Sequence, residues 1–278
     1  MNDVLRSVLI GLLLGLVQGI TEWLPVSSSG HLVAVQVFIG YEPPLLFDGL
    51  LHVASALVVW FVVRKEMIRY LKAFLTGFAS IRSKGFKKAF GTQDAMIGWY
   101  AITALIPSFL VGFFLYKPLE SIYTNLLVVG IAALVTSAVL GLSYFFRRGL
   151  VKEMSFPRAI AMGVAQACAI VPGISRSGST ISAGMFSGMN RERAAKFSLM
   201  LAIPSLLGAT AFVFLKNWRD LDLDIITTAV GVVTVMITGY LSINLLLLVV
   251  RQGGLHLFAV YTMFFGVCAI TMSLVFGL

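Results

Sequence analysis

The sequence predicts an all-α, polytopic integral membrane protein: six full transmembrane helices plus two re-entrant helical hairpins in an inverted-topology repeat. Three observations carry that expectation. The chain of 278 residues is 59% hydrophobic and only 12% charged, too little polar surface for a soluble domain of this size. Six apolar runs are long enough to span a bilayer, which takes roughly 20 residues per helix. Two further apolar regions are cut by proline and serine.

The six runs, in order, are Leu45–Val63, Ala95–Tyr116, Asn125–Phe146, Phe197–Leu215, Ile225–Val250 and Leu255–Leu278. The first broken region is Ser7–Gly40, where Pro25 and the serines leave an apolar piece before and Leu32–Gly40 after. The second is Ala159–Met189, where Pro172-Gly173 leave Ala159–Val171 in front. These pieces read as too short to span individually. Apolar half-helices around a polar loop mark re-entrant segments, where irregular backbone lines a buried cavity. The first run has a weak basic start, no small-x-small cleavage pattern, and contains Gln18 and Glu22, so it is read as part of the mature protein rather than a signal peptide.

Charge supports this topology. If both broken regions enter and leave on the same side, one face of the membrane holds Arg6, Lys117, Lys216 and Arg219. The other holds sixteen Lys and Arg, among them Arg64, Lys65, Lys87, Lys88, Arg147 and Arg148. The positive-inside rule makes the basic loops cytoplasmic and puts both termini outside. The net charge of +9 therefore reads as topology, not as a nucleic-acid footprint.

The broken regions also match each other. Gly15, Gln18, Ser27, Ser29 and Gly30 recur as Gly163, Gln166, Ser175, Ser177 and Gly178, at a constant offset of 148 residues. Each half then has one hairpin and three spans. Three is odd, so the halves run in opposite orientation. The expected organisation is one membrane domain, 1–278, of two halves, 1–146 and 159–278, with the link near Arg147–Arg158.

Two hairpins from opposite faces should meet near the midplane with "VSSSGH" and "ISRSGST" at their tips. A short helix follows each tip and presents free N–H groups and a positive helix end. Ser27, Ser29, Gly173, Ser175 and Ser177 let a ligand approach closely, and Arg176 adds a planar cation suited to phosphate. The loops read as an oxyanion cradle. Arg176 either binds that ligand or is a structural charge neutralised by Glu22, since an unpaired Arg at membrane depth is costly. Glu22 lies four residues after Gln18, on the same helix face. It is a metal ligand, an acid–base group, or only the partner of Arg176. Gln18 taken alone could simply bond a neighbouring helix. His31 is a nucleophile, base or acid, or a packing residue. Ser28, like its neighbours, is a nucleophile, a phosphate donor or a helix cap, and Thr180 is similarly open.

The remaining chemistry-bearing residues take blander readings. Asp48 is a cap or part of the site rim. His52 and His256 are packing residues, as are Cys168 and Cys268. Trp23, Trp60, Trp99 and Trp218 anchor at the interface or pack. No P-loop, zinc cluster or dinucleotide fingerprint is present.

"QGITEWLPVSSSGH" and "PGISRSGST" resemble the two signatures of the undecaprenyl-pyrophosphate phosphatases of the bacitracin-resistance type, and the resemblance extends along essentially the whole chain. It implies a membrane hydrolase that removes the terminal phosphate of a polyprenyl diphosphate, with an active site facing outside and a need for a divalent cation, Mg²⁺ or Ca²⁺. By motif position it assigns Gln18 and Glu22 to the acidic motif that holds the cation. It assigns Ser28 and His31 to the nucleophile positions, and Ser175, Arg176, Ser177 and Thr180 to phosphate binding. Many members carry Glu where this chain has Gln18, which removes a charge from the metal site. In the expected mechanism Ser28 attacks phosphorus with His31 as base, or His31 attacks itself. The implied partners are the lipid substrate and membrane lipids, with a homodimer left open. The rival readings are a polyprenyl-phosphate flippase or transporter using the same cradle, and an anion channel.

Overall fold

Apolar runs become helices wherever no serine cluster or proline-glycine pair interrupts them. The computed structural model describes residues 3–41, 43–115, 125–146, 148–217 and 223–276. Tyr116, Lys117, Arg147, Trp218, Arg219 and Leu278 lie outside the described residues.

Helix α1 spans Asp3–Thr21 and α2 spans Ser28–Ile39; between them lies the polar turn. Gly40 ends α2 in the left-handed conformation (φ 61°), and its N–H bonds back to the last turn. α3 runs Leu45–Lys84 and a single turn, α4, covers Phe86–Ala89. α5 is Gln93–Phe114, capped by Thr92, and α6 is Leu126–Ser143, capped by Asn125. The second broken region gives α7, Phe156–Cys168, and α8, Arg176–Phe186. α9 (Arg191–Asn217), α10 (Ile225–Gln252) and α11 (Phe258–Phe276) complete the order. Among the described residues there is no strand, only an isolated bridge between Val151 and Met189.

The chain is thus a polytopic all-α membrane protein. Among the described residues, seven helices are long and apolar enough to cross a membrane, one more than the six expected. The addition is α1. At 19 residues it is about 28 Å long, close to the hydrocarbon thickness. The expectation that every broken piece is too short therefore fails for α1. Its polar break comes at Glu22, after the apolar run is already long enough to span. α3 departs the other way. Its 40 residues reach about 60 Å, so the part beyond Val63, beginning with Arg64 and Lys65, extends past the apolar stretch.

Packing places the two breaks together. α1 lies on α10, α5 on α7, α3 on α9 and α6 on α11, while the helices of each broken pair pack on one another. The α1–α10 contact depends on small residues, which let backbones approach where lipid offers no hydrophobic drive. A Cβ on Gly15 would come within 2.7 Å of the Gly231 carbonyl oxygen and 2.8 Å of Thr234. Gly15→Val is therefore expected to cost about 1–3 kcal/mol through overpacking. A lowered midpoint of thermal unfolding in detergent checks this, and an unchanged midpoint would mean the seam yields.

Candidate active site

The first turn closes on a strained residue. Ser27 has φ 71°, the one positive φ at a non-glycine position among the described residues. Such a conformation costs about 1–3 kcal/mol and persists only where the surroundings enforce it. Here the enforcement is visible. Ser27 Oγ accepts from Gly30 N (3.4 Å), capping α2, and from Gly173 N (3.2 Å) in the other loop. Gly173 itself has φ 99°, and a Cβ there would press on Ala132 of α6 at 2.7 Å. Only glycine suits that place.

The second turn is built the same way. Ser175 caps α8, its Oγ accepting from Gly178 N at 3.1 Å and lying 3.3 Å from Ser177 Oγ. Thr136 of α6 holds the loop from behind. Its Oγ1 donates to the Gly173 carbonyl and accepts from Ser175 N, both at 3.0 Å. Ser177 Oγ donates to the Leu24 carbonyl at 3.4 Å, so the tips touch through side chains as well as backbone. Ser29 lies against Ser27, Oγ to Oγ, at 3.4 Å. Both helices therefore start at one point with their first N–H groups, at Ser28, Ser29, Arg176 and Ser177, lacking intrahelical acceptors.

Glu22 is the hub. Its Oε1 accepts from Arg176 Nη2 at 2.5 Å, and its Oε2 accepts from Ser28 Oγ at 2.6 Å and from Gln18 Nε2 at 3.1 Å. Ser28 and Arg176 are each the first residue of a half-helix, and their numbers differ by 148. The two oxygens of one carboxylate thus join the two loops. Arg176 also lies over the Trp23 ring, 5.4 Å from its centroid, and Trp23 is fully buried. Three polar atoms here are buried without a hydrogen-bond partner, Arg176 Nη1, Gln18 Oε1 and Trp23 Nε1. A buried, unpaired guanidinium nitrogen is costly and asks for an acceptor. Gln18 Oε1 is a hard oxygen on the amide whose nitrogen bonds the Glu22 carboxylate. That donor set fits Mg²⁺ or Ca²⁺, which take oxygen ligands. Among the described residues no three His, Cys, Asp or Glu cluster, so other oxygens would have to complete a shell.

Two candidates stand apart from the hub. Both ring nitrogens of His31 are engaged elsewhere: Nδ1 with the Ser27 carbonyl and Nε2 with Tyr261 Oη, each at 2.8 Å, while Phe265 stacks on the ring at 3.9 Å. A carbonyl only accepts, so Nδ1 carries the hydrogen, and in the neutral ring Nε2 then accepts from Tyr261. Ser28 gives its hydrogen bond to Glu22, and the expected Ser28–His31 bond is not made. The Thr180 hydroxyl is taken up by the Arg176 carbonyl (2.8 Å) and Ser198 Oγ (2.5 Å), which ties α8 to α9.

Four residues near the site take no site role from the sequence alone. Trp23 lies inside the first signature stretch but reads as an anchoring or packing residue, and Thr136 and Tyr261 are ordinary members of apolar stretches. His52, a packing residue by its sequence context, has its Nε2 3.6 Å from Glu22 Oε2. The spacing from Asp48 to His52, one helical turn, was the available hint; the contact itself depends on how α3 packs on α1.

The family model described as bacitracin resistance protein BacA matches residues 11–268. An undecaprenyl-diphosphatase of Methanosphaera stadtmanae is 38% identical over 275 residues, covering 97% of this chain and 99% of that protein. One from Methanobrevibacter smithii is 38% identical over 95% of this chain and 96% of its own length. One from Korarchaeum cryptofilum is 35% identical over 94% and 97%. With a serine-lined cradle, a buried Glu–Arg hub and similarity along nearly the full length, the chain belongs to the bacitracin resistance protein BacA family.

Proposed function

We infer that this chain is a membrane phosphatase that hydrolyses undecaprenyl (polyprenyl) diphosphate to the monophosphate carrier lipid and inorganic phosphate. The single observation that carries the reading is Arg176 Nη1, buried and unpaired at the meeting point of two helix N-termini. Phosphate oxygens would satisfy both the guanidinium and the free N–H groups. The names of the relatives point the same way.

In this reading the terminal phosphate sits between Arg176 and the first N–H groups of α2 and α8, with Ser29, Ser175 and Ser177 lining the cradle. These donors are in place before the reaction and stabilise charge as it develops. Ser28 Oγ attacks phosphorus. Its proton passes to Glu22, the carboxylate it already faces at 2.6 Å. The lipid monophosphate leaves, and water releases phosphate from Ser28. Glu22 and Gln18 would hold a Mg²⁺ or Ca²⁺, which when bound neutralises diphosphate charge. His31 would need to leave Tyr261 to act as base or nucleophile. Ser28→Ala is expected to lower kcat by about 10³-fold. Near-normal turnover would sink the serine pathway and make His31 the attacking group.

We further read the chain as two halves in opposite orientation, with re-entrant hairpins, both termini and the site opening outside, and the basic loops cytoplasmic. The matched roles of Ser27 with Ser175 and Ser28 with Arg176 support it, as does the reciprocal packing of α1 on α10 and α7 on α5.

The deciding experiment is phosphate release from a polyprenyl diphosphate by the detergent-purified protein, with Mg²⁺ or with a chelator. Metal-dependent release is expected. No release, with lipid still bound, would favour a transporter using the same cradle, because nothing can be transported in detergent.

A further inference from the structure

Gln18, Ser28 and His52 all converge on one atom, Glu22 Oε2, while Arg176 takes the other oxygen. The hydroxyl and the amide are within hydrogen-bond reach of that atom, at 2.6 and 3.1 Å. His52 Nε2, at 3.6 Å, is not. That separation has a different meaning. Two donors bound to one ion at about 2.1 Å, subtending 90–120°, lie about 3.0–3.6 Å apart. Among the described residues the His52 ring makes no hydrogen bond; the charged groups it faces are Glu22 and, one turn back on its own helix, Asp48. The amide of Gln18 adds a second, independent sign. Its Oε1 is fully buried without a partner. A half-turn of the amide, which exchanges O and N, would put that oxygen 3.1 Å from Glu22 Oε2. Asp48, one turn before His52 on α3, adds nearby negative charge, and Gln36 Nε2 holds its carboxylate at 3.1 and 3.3 Å.

We propose that His52 supplies a nitrogen ligand to the divalent cation held by Glu22 and Gln18, giving a mixed nitrogen–oxygen site that favours Mn²⁺ and similar first-row ions over Ca²⁺. The reading rests on the metal-assisted phosphatase above. Its chemical basis is ligand preference. Ca²⁺ takes oxygen donors almost exclusively, whereas imidazole suits first-row ions such as Zn²⁺ and Fe²⁺; Mn²⁺, at home with carboxylate and carbonyl oxygens, is the first-row ion that matches the rest of this set. Replacing a carboxylate ligand by the neutral amide of Gln18 leaves a weaker oxygen set, and a neutral imidazole strengthens it without adding charge.

The test uses the full-length chain, free of any histidine tag, in detergent, with Mn²⁺ as the probe. Pulsed electron paramagnetic resonance reads the nuclei bonded to the ion. The expected result is coupling to one imidazole nitrogen. Labelling with ¹⁵N-histidine should change that coupling in the unaltered protein. His52→Gln should abolish it and bring the Mn²⁺ and Ca²⁺ affinities at least tenfold closer. The chain has three histidines, and His31→Gln and His256→Gln should both keep the signal. Oxygen coupling alone, a signal that survives His52→Gln, or no Mn²⁺ binding would overturn the assignment. Metal-dependent phosphate release without nitrogen coupling would remove His52 from the site and leave the phosphatase standing. Coupling without phosphate release would do the reverse.

Discussion

Arg176→Ala is expected to lower kcat/KM for phosphate release by about 10³-fold or more. A preorganised donor aimed at developing charge in a water-poor site is worth that much when removed. Arg176→Lys should recover only part of the loss. It keeps the charge but not the fork that lets one nitrogen serve Glu22 while the other serves the ligand. Steady-state kinetics in detergent would check both variants. If Arg176→Ala kept kcat within a few-fold of the parent, Arg176 would be a counter-ion and the cradle reading would fail.

Glu22→Gln should be as damaging, for two separable reasons. The carboxylate is the acceptor for Ser28 and the main candidate cation ligand, so activity should fall by about 10³-fold or more. It is also the buried partner of Arg176, and breaking one side of such a pair costs about 3–5 kcal/mol. The double variant Glu22→Gln with Arg176→Gln distinguishes the two effects. Removing both charges should restore much of the thermal stability lost in Glu22→Gln, while phosphate release stays abolished. Recovery of activity along with stability would show that the pair only holds the loops together.

Both variants act on residues that are plain in the sequence. A carboxylate and a guanidinium in apolar surroundings need partners, so Glu22 and Arg176 stand out before any coordinates. The serines and glycines flanking proline mark where helices must break. The local devices also follow from local chemistry: Ser27 and Ser175 do what serine does ahead of a helix, and Gly173 takes a backbone angle that other residues resist.

Length and pairing were harder to read. α1 reaches Thr21 in one piece because helix propagation needs no special residue, and a pattern marks the break better than the start. His31 stands beside the serines and by resemblance shares the nucleophile positions with Ser28. The turn from loop to helix instead sends its ring to Tyr261 and Phe265, more than two hundred residues on. His52 sits in an ordinary apolar run, which by itself reads as packing.

What the sequence by itself determined is membrane class, the helical runs, the two polar breaks and the charges that must be neutralised there. These follow from burial cost and backbone hydrogen bonding, which act on each segment alone. Only the tertiary structure decided that one carboxylate joins both loops, that Ser28 rather than His31 faces it, and that His52 approaches the same oxygen. Those are contacts between segments far apart in the chain. They depend on helix crossing and rotation, set by small residues such as Gly15 and Gly231 at close-packed seams, and no local pattern encodes where a crossing will bring two side chains together.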